Sequence, residues 1–325
     1  MIGAELPRRL RWRAEAVAVR ALFCALSALG PRRASGLGAW VGRTLGPFLP
    51  VSRIAEANLR LAFPDRDAAW RRATIRAMWD NLGRVAGELP CLPALMDTPG
   101  AIEIAGAAHL DAALRAGGPA ILFSGHFANW EIMTPAAARH GARVAVVYRA
   151  IGNPFIDAMV AGLRRAAIGG GAALMVPKGA TAARATLAHL HRGGVVGMLM
   201  DQKMNDGIAA RLFGIPAMTA TALAQLALRF RCPVIPACAV RLGPARFRVV
   251  VEPALVLPDS GDRQADIAAL TQAVNDTLER WIRDRPAEWL WLHRRFDKAL
   301  YRRDAPAEHR GQHAPPAPRD AARQG

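Results

Sequence analysis

Cysteine is scarce in this 325-residue chain. The four thiols, Cys24, Cys91, Cys232 and Cys238, lie scattered in apolar settings, and none has the partner spacing of a zinc site or a redox pair. A metal centre or disulfide framework is therefore not expected, and the thiols read as reduced packing residues of a cytosol-facing protein. Aromatic residues make up only 6% of the chain, and no basic helix interleaves with base-stacking rings, which argues against nucleic acid as a partner. Internal repeats are missing. So is a long uncharged run: the apolar segment 14–30 is shorter than the roughly 20 residues of a membrane span, and it carries Glu15 and Arg20. With that charge and no clean cleavage site after it, a secretory signal is not expected.

What the chain has in quantity is positive charge and apolar bulk. A net charge of +17 beside 52% hydrophobic residues points to an anionic partner, such as anionic lipid or an acidic carrier protein. The amino terminus concentrates both features, with Arg8, Arg9, Arg11 and Arg13 around Trp12, then the apolar segment, then Pro31-Arg32-Arg33. We expect residues 1–33 to form a basic amphipathic helix on the cytoplasmic leaflet. A single tilted span, or a helix packed on the domain, remains open.

Helical periodicity covers 53–63 and 68–89, making 34–100 a helical amino-terminal region. From 101 to about 300, apolar strands alternate with helices. Strands are expected at 120–124, 143–148, 172–176, 195–201, 234–241 and 247–252, and helices at 130–140, 154–167, 181–191, 220–230 and 266–283. Such alternation predicts an α/β core, a mostly parallel mixed sheet covered by helices. The Pro- and Ala-rich stretch 301–325 is expected to be a disordered tail.

The chain is organised around Ser124-Gly125-His126-Phe127-Ala128-Asn129-Trp130-Glu131, which follows the short apolar strand 120–124. A strand ending there delivers the loop to the carboxyl edge of the sheet, where open α/β sheets bind ligands. On a continuous helix His126 and Glu131 would diverge by about 140°. With His126 in the loop and Glu131 in the first helical turn they can meet, the carboxylate fixing one ring nitrogen and leaving the other as general base. The simpler alternative is a loop histidine beside a glutamate that complements the helix dipole.

Three more blocks end strands of the core. In the first, Tyr148-Arg149 precedes Asn153-Pro154, with Arg164-Arg165 one helix later. Arg149 and Arg164 can hold phosphate or carbonyl oxygens, or form a solvated basic face. In the second, Asp201-Gln202-Lys203 is followed by Phe213-Gly214-Ile215-Pro216-Ala217-Met218-Thr219. Asp201 and Gln202 can anchor loops or contact substrate hydroxyls. The third, Pro286 through Trp289, Trp291, His293, Arg295 and Phe296, reads on pattern alone as core with a basic rim.

Taken together and in order, these blocks resemble the bacterial lipid A late acyltransferases of the glycerolipid acyltransferase superfamily. Gly125-His126-x-x-Asn129-Trp130-Glu131 is similar to that family's His-x4-Glu block, and Pro286-x4-Trp291-x-His293-x-Arg295-Phe296 to its carboxyl-terminal signature. The likeness spans residues 50–297. It departs where Phe213 stands alone in place of two aromatics, and where Lys203 replaces Asp or Arg. The resemblance implies a glycerol-phosphate-acyltransferase-like core in a membrane-associated enzyme at the cytoplasmic face of a bacterial inner membrane. The implied donor is an acyl-carrier-protein thioester, with no other cofactor, and the acceptor is a hydroxyl of an (R)-3-hydroxyacyl chain on a phosphorylated lipid A precursor. It assigns His126, Glu131 and Arg164 to catalysis, and Asn129, Trp130, Tyr148, Arg149, Asn153, Asp201, Gln202 and Lys203 to substrate binding. Acceptors of another kind, a glycolipid, aminolipid or lysophospholipid, remain open, as does a non-catalytic basic membrane- or nucleic-acid-binding protein.

Overall fold

The structure, a computed structural model, describes residues 5–169, 173–177 and 180–302. The expectation of a disordered tail falls outside the described residues, apart from a last helical turn at 301–302. In chain order the elements are α1 (Glu5–Leu45), α2 (Ser52–Ala62), α3 (Ala68–Glu88), α4 (Leu92–Asp97), β1 (Ile102–Ala105), α5 (Ala107–Arg115), β2 (Ala120–Ser124), α6 (Met133–Arg139), β3 (Val144–Tyr148), α7 (Pro154–Ile168), β4 (Ala173–Pro177), α8 (Ala180–His191), β5 (Val195–Leu199), β6 (Ile208–Leu212), β7 (Ile215–Thr219), α9 (Ala222–Phe230), β8 (Val234–Gly243), β9 (Arg246–Val251), α10 (Arg263–Asp284) and α11 (Lys298–Arg302).

Seven strands form the central sheet in the order β1-β9-β8-β2-β5-β3-β4, parallel throughout except between β8 and β9. The parallel interior strands are near-continuous apolar runs because helices cover both faces. On one face Leu122, Val144, Val195, Ala136 and Ala137 pack together, bringing α6 onto the sheet. On the other, Phe123 stacks on Trp281 of α10 with ring centroids 5.9 Å apart, and Val196 meets Leu190 and Leu226 of α8 and α9.

The amino-terminal helix is longer than the 1–33 segment expected. It runs to Leu45 and is broken once, at Gly30, whose φ of 74° and ψ of 163° lie outside the helical region. Only glycine adopts that conformation readily, and Pro31 then restarts the helix. The face carrying Trp12, Ala16, Val19, Phe23 and Leu26 turns toward the domain, while Leu10, Val17, Leu22 and Leu29 are exposed. By length and composition 7–48 could cross a membrane, and very little of its most apolar stretch is buried. Of the cysteines, Cys91, Cys232 and Cys238 are buried, and Cys24 on the open side of α1 is exposed.

Candidate active site

The strand β2 ends at Ser124, and the chain turns at once through Gly125 to place His126 at the carboxyl edge of the sheet. A Cβ on Gly125 would come within 2.8 Å of the Phe127 ring and 3.2 Å of the Asp201 carboxyl carbon, so a side chain there would push on the groups that hold the histidine. The loop is fixed from two sides. Ala128 takes a left-handed φ of 45°, stabilised by its N–H donating to the Glu288 carbonyl at 3.0 Å. Its own carbonyl accepts from Nδ2 of Asn81 at 3.1 Å. Asn129 then caps the next turn, accepting from the Glu131 N–H at 3.1 Å.

The carboxylate that orients His126 is not the one suggested by spacing. Asp201, just beyond β5, accepts from Nδ1 of His126 at 2.9 Å and from its backbone N–H at 2.9 Å. The strands β2 and β5 run parallel and adjacent with Ser124 opposite Leu199, so both residues emerge at the same edge. The indole N–H of Trp289 donates to the same carboxylate at 2.8 Å. Nδ1 therefore carries the proton, and Nε2 is the basic nitrogen. Burial alone would raise the Asp201 pKa, yet the His126 charge and hydrogen bonds, with the Trp289 bond, hold it well below the usual carboxylate range. For His126, burial works against the charged ring, but the Asp201 charge and hydrogen bond outweigh it, with a contribution from the Glu131 charge. The net result is a pKa above the ordinary histidine value.

Glu131 binds Arg164 instead. Nε and Nη2 of the guanidinium donate to its two oxygens at 2.7 Å each, a fork-on-fork pair. Among the described residues Nη1 of Arg164 has no partner. Tyr148 lies beneath this guanidinium, 5.8 Å from its ring centroid.

These groups face a cavity of roughly 920 Å³, lined mainly by apolar side chains. His126, Trp130, Glu131, Tyr148, Arg149, Arg164 and Gln202 all contribute to its wall. Four other residues expected to bind substrate do not. Asn129 is fully buried and gives its amide to Glu88 at 2.9 Å. Asn153 caps α7 and donates to the Trp12 carbonyl and Glu15 of α1, at 2.9 and 3.0 Å. Asp201 sits behind His126, and Lys203 lies outside the cavity. The first three are withdrawn from solvent because their polar atoms already have protein partners.

The carboxyl-terminal block explains much of this rigidity. Trp289 reaches Asp201, and Trp291 donates to the Pro286 carbonyl at 2.6 Å. Arg295, fully buried, ties the Met218 carbonyl and Thr219 to α10 through Asn275. His293, expected to be structural, lies beside the site: the amide of Gln202 is 3.2 Å from its Nε2 and 3.5 Å from Nε2 of His126. The sequence assigned no role to the buried set beneath the loop. There Glu88 accepts from Ser35 at 2.7 Å and from Arg241 at 2.5 Å, and Arg241 also holds Asn81 at 2.8 Å.

A sheet-edge imidazole backed by a buried carboxylate stands at a large, mainly apolar cavity with an arginine in its wall, on an α/β fold. Residues 8–298 match the family model of the bacterial lipid A biosynthesis acyltransferases, and the chain belongs to that family. No curated protein gives a significant match to the chain.

Proposed function

We propose that this acyltransferase moves a fatty acyl chain from an acyl-carrier-protein thioester to the 3-hydroxyl of an (R)-3-hydroxyacyl chain on a phosphorylated lipid A precursor. The observation that carries the proposal is the contact of His126 Nδ1 with the buried Asp201 carboxylate, which leaves Nε2 as the ring's other nitrogen in the wall of the apolar cavity. Nε2 takes the acceptor's hydroxyl proton as its oxygen attacks the thioester carbonyl. Arg164, held rigid by Glu131, faces the tetrahedral oxyanion with its uncommitted Nη1. Collapse breaks the carbon–sulfur bond, and the departing thiolate recovers the proton from His126. Transfer is direct, with no covalent enzyme intermediate. Trp130, packed edge-on to His126 with centroids 5.0 Å apart, excludes water from one side of the ring.

The acidic carrier would dock on the strongly basic surface, with Arg149 at the cavity rim. The enzyme would work at the cytoplasmic face of the inner membrane, where carrier thioester and lipid acceptor meet. Purified protein incubated with a panel of acyl-carrier thioesters and a tetra-acylated, Kdo-bearing precursor should yield a product heavier by one acyl group. An unchanged precursor with every donor would overturn the proposal.

A further inference from the structure

The cavity is not confined to one side of the sheet. Successive strand residues point to opposite faces, and its wall includes adjacent residues from three strands: Leu122 and Phe123 of β2, Val146 and Val147 of β3, and Val196, Gly197 and Met198 of β5. One lobe lies under α6 and α5, walled by Leu110, Leu122, Ala136, Val144 and Val249. The other lies under α8 and α9, walled by Thr186, Leu187, Val196, Met198 and Leu226. His126 and Gln202, beyond the carboxyl ends of β2 and β5, line the wall of the same cavity. The combined volume of the lobes, roughly 920 Å³, is near the top of the range of about 300–1,000 Å³ for ligand pockets.

We propose that the two lobes hold two different hydrocarbon chains at once: the donor's acyl chain under α6, and the lipid acceptor's own chain under α8 and α9. This rests on the transfer proposed above. An alcohol borne partway along a lipid chain brings a tail of its own to the point of attack, so two tails must diverge from the histidine. Tyr148 and the Arg164 cation line the cavity where α7 packs on α6, and they suit the thioester carbonyl and the phosphodiester of a carrier's arm. Gln202, beyond β5 in the same wall, offers an amide as a neutral partner for a hydroxyl. Two apolar compartments separate donor from acceptor by geometry alone.

Dodecanoate is the probe that tests the lobes without relying on any reaction. Native mass spectrometry of the full chain should count two bound dodecanoates in the wild type. It should count one in Ala136→Phe, one in Thr186→Phe, and none in the double variant. A wild type that saturates with one chain, or single substitutions that remove the same chain, would overturn the two-lobe arrangement. Should a phenylalanine variant not give the wild-type circular dichroism spectrum, Ala137→Leu and Ala183→Leu narrow the same lobes more gently.

Turnover then assigns the lobes. Ala136→Phe should shift the preferred donor to shorter chains and leave the acceptor KM unchanged. Thr186→Phe should keep the donor profile and raise the acceptor KM on the order of ten-fold, the effect of denying about two methylenes their burial. A changed donor profile in Thr186→Phe would refute the assignment. Two bound dodecanoates without transfer to the precursor would leave the lobes standing and remove the proposed reaction instead.

Discussion

Asp201 and His126 are 75 positions apart in sequence, yet the aspartate takes both the Nδ1 proton and the backbone N–H of the histidine, each at 2.9 Å. That double contact fixes the tautomer and the ring plane together. Asp201→Asn should therefore lower kcat by roughly 10²–10⁴-fold, the usual contribution of general-base catalysis, with acceptor KM little changed. A variant retaining more than a tenth of wild-type turnover would exclude Asp201 as the group that orients the base.

The same pair sets the pH dependence. His126 must be unprotonated to act, and its pKa lies above the ordinary value because of Asp201 and, to a smaller extent, Glu131. The acid limb of kcat/KM should then fall above the ordinary histidine value of about 6.5, with activity rising as pH rises through it. Removing the Asp201 charge removes the larger raising contribution, so the residual activity of Asp201→Asn should have its acid limb at lower pH. A limb that stayed in place would assign the titration to another group.

Glu131 and Arg164 act as one unit in this geometry. Glu131→Ala frees the guanidinium to swing, and Arg164→Ala removes the cation that Glu131 holds. Each substitution should reduce turnover to a similar degree, and the double variant should be no worse than the poorer single one. If Glu131 served His126 separately, the two losses would multiply. Kinetics of the three variants on one donor and one acceptor separate these cases.

Beneath the loop, the fully buried Glu88 is paired with Arg241 and supports Asn129. Arg241→Met would leave a carboxylate buried without its counter-charge, at a loss of about 3–5 kcal/mol. Thermal unfolding should move down by on the order of 10 °C. Arg241→Lys, which keeps the charge but not the fork to both Asn81 and Glu88, should fall in between. A wild-type melting temperature for Arg241→Met would show the network to be dispensable.

Much of the sheet was legible because its interior strands are apolar runs. The strand 120–124 is observed with those bounds, and 143–148, 195–201 and 247–252 differ only at their ends. The strand β1 escaped notice because it has four residues with Glu103 among them. The β6–β7 hairpin was hidden because it alternates poorly, although its turn at Phe213-Gly214, both with positive φ, was a usable sign. Within the site, local spacing paired His126 with Glu131, whereas the structure pairs His126 with Asp201 and Glu131 with Arg164. The pairing of His126 with Asp201 depends on which strands lie side by side, and a single sequence does not display strand order. Two strand-end blocks of an α/β core, Ser124-Gly125-His126 and Met200-Asp201-Gln202, were nevertheless candidates for one edge.

The amino-terminal helix leads to a prediction that a short anchor would not. After the break at Gly30, Leu37, Trp40, Val41 and Leu45 follow an i, i+3, i+4, i+8 spacing and are exposed on one face. Phe48, at 85% exposure, and Leu49 continue the patch. Ser35 and Ala39, on the other side, are buried, and α1 packs on α3 through Gly38 and Gly42. Burying a side chain of this size in lipid is worth roughly 1.5–3 kcal/mol. A chain lacking residues 1–29 should therefore still co-sediment with anionic vesicles, more weakly than the full protein. Adding Trp40→Glu and Phe48→Glu to that truncation should abolish sedimentation. Complete release by the truncation alone would restrict membrane contact to the first half of the helix. Undiminished binding by the charged variant would show that the 37–49 face does not touch lipid.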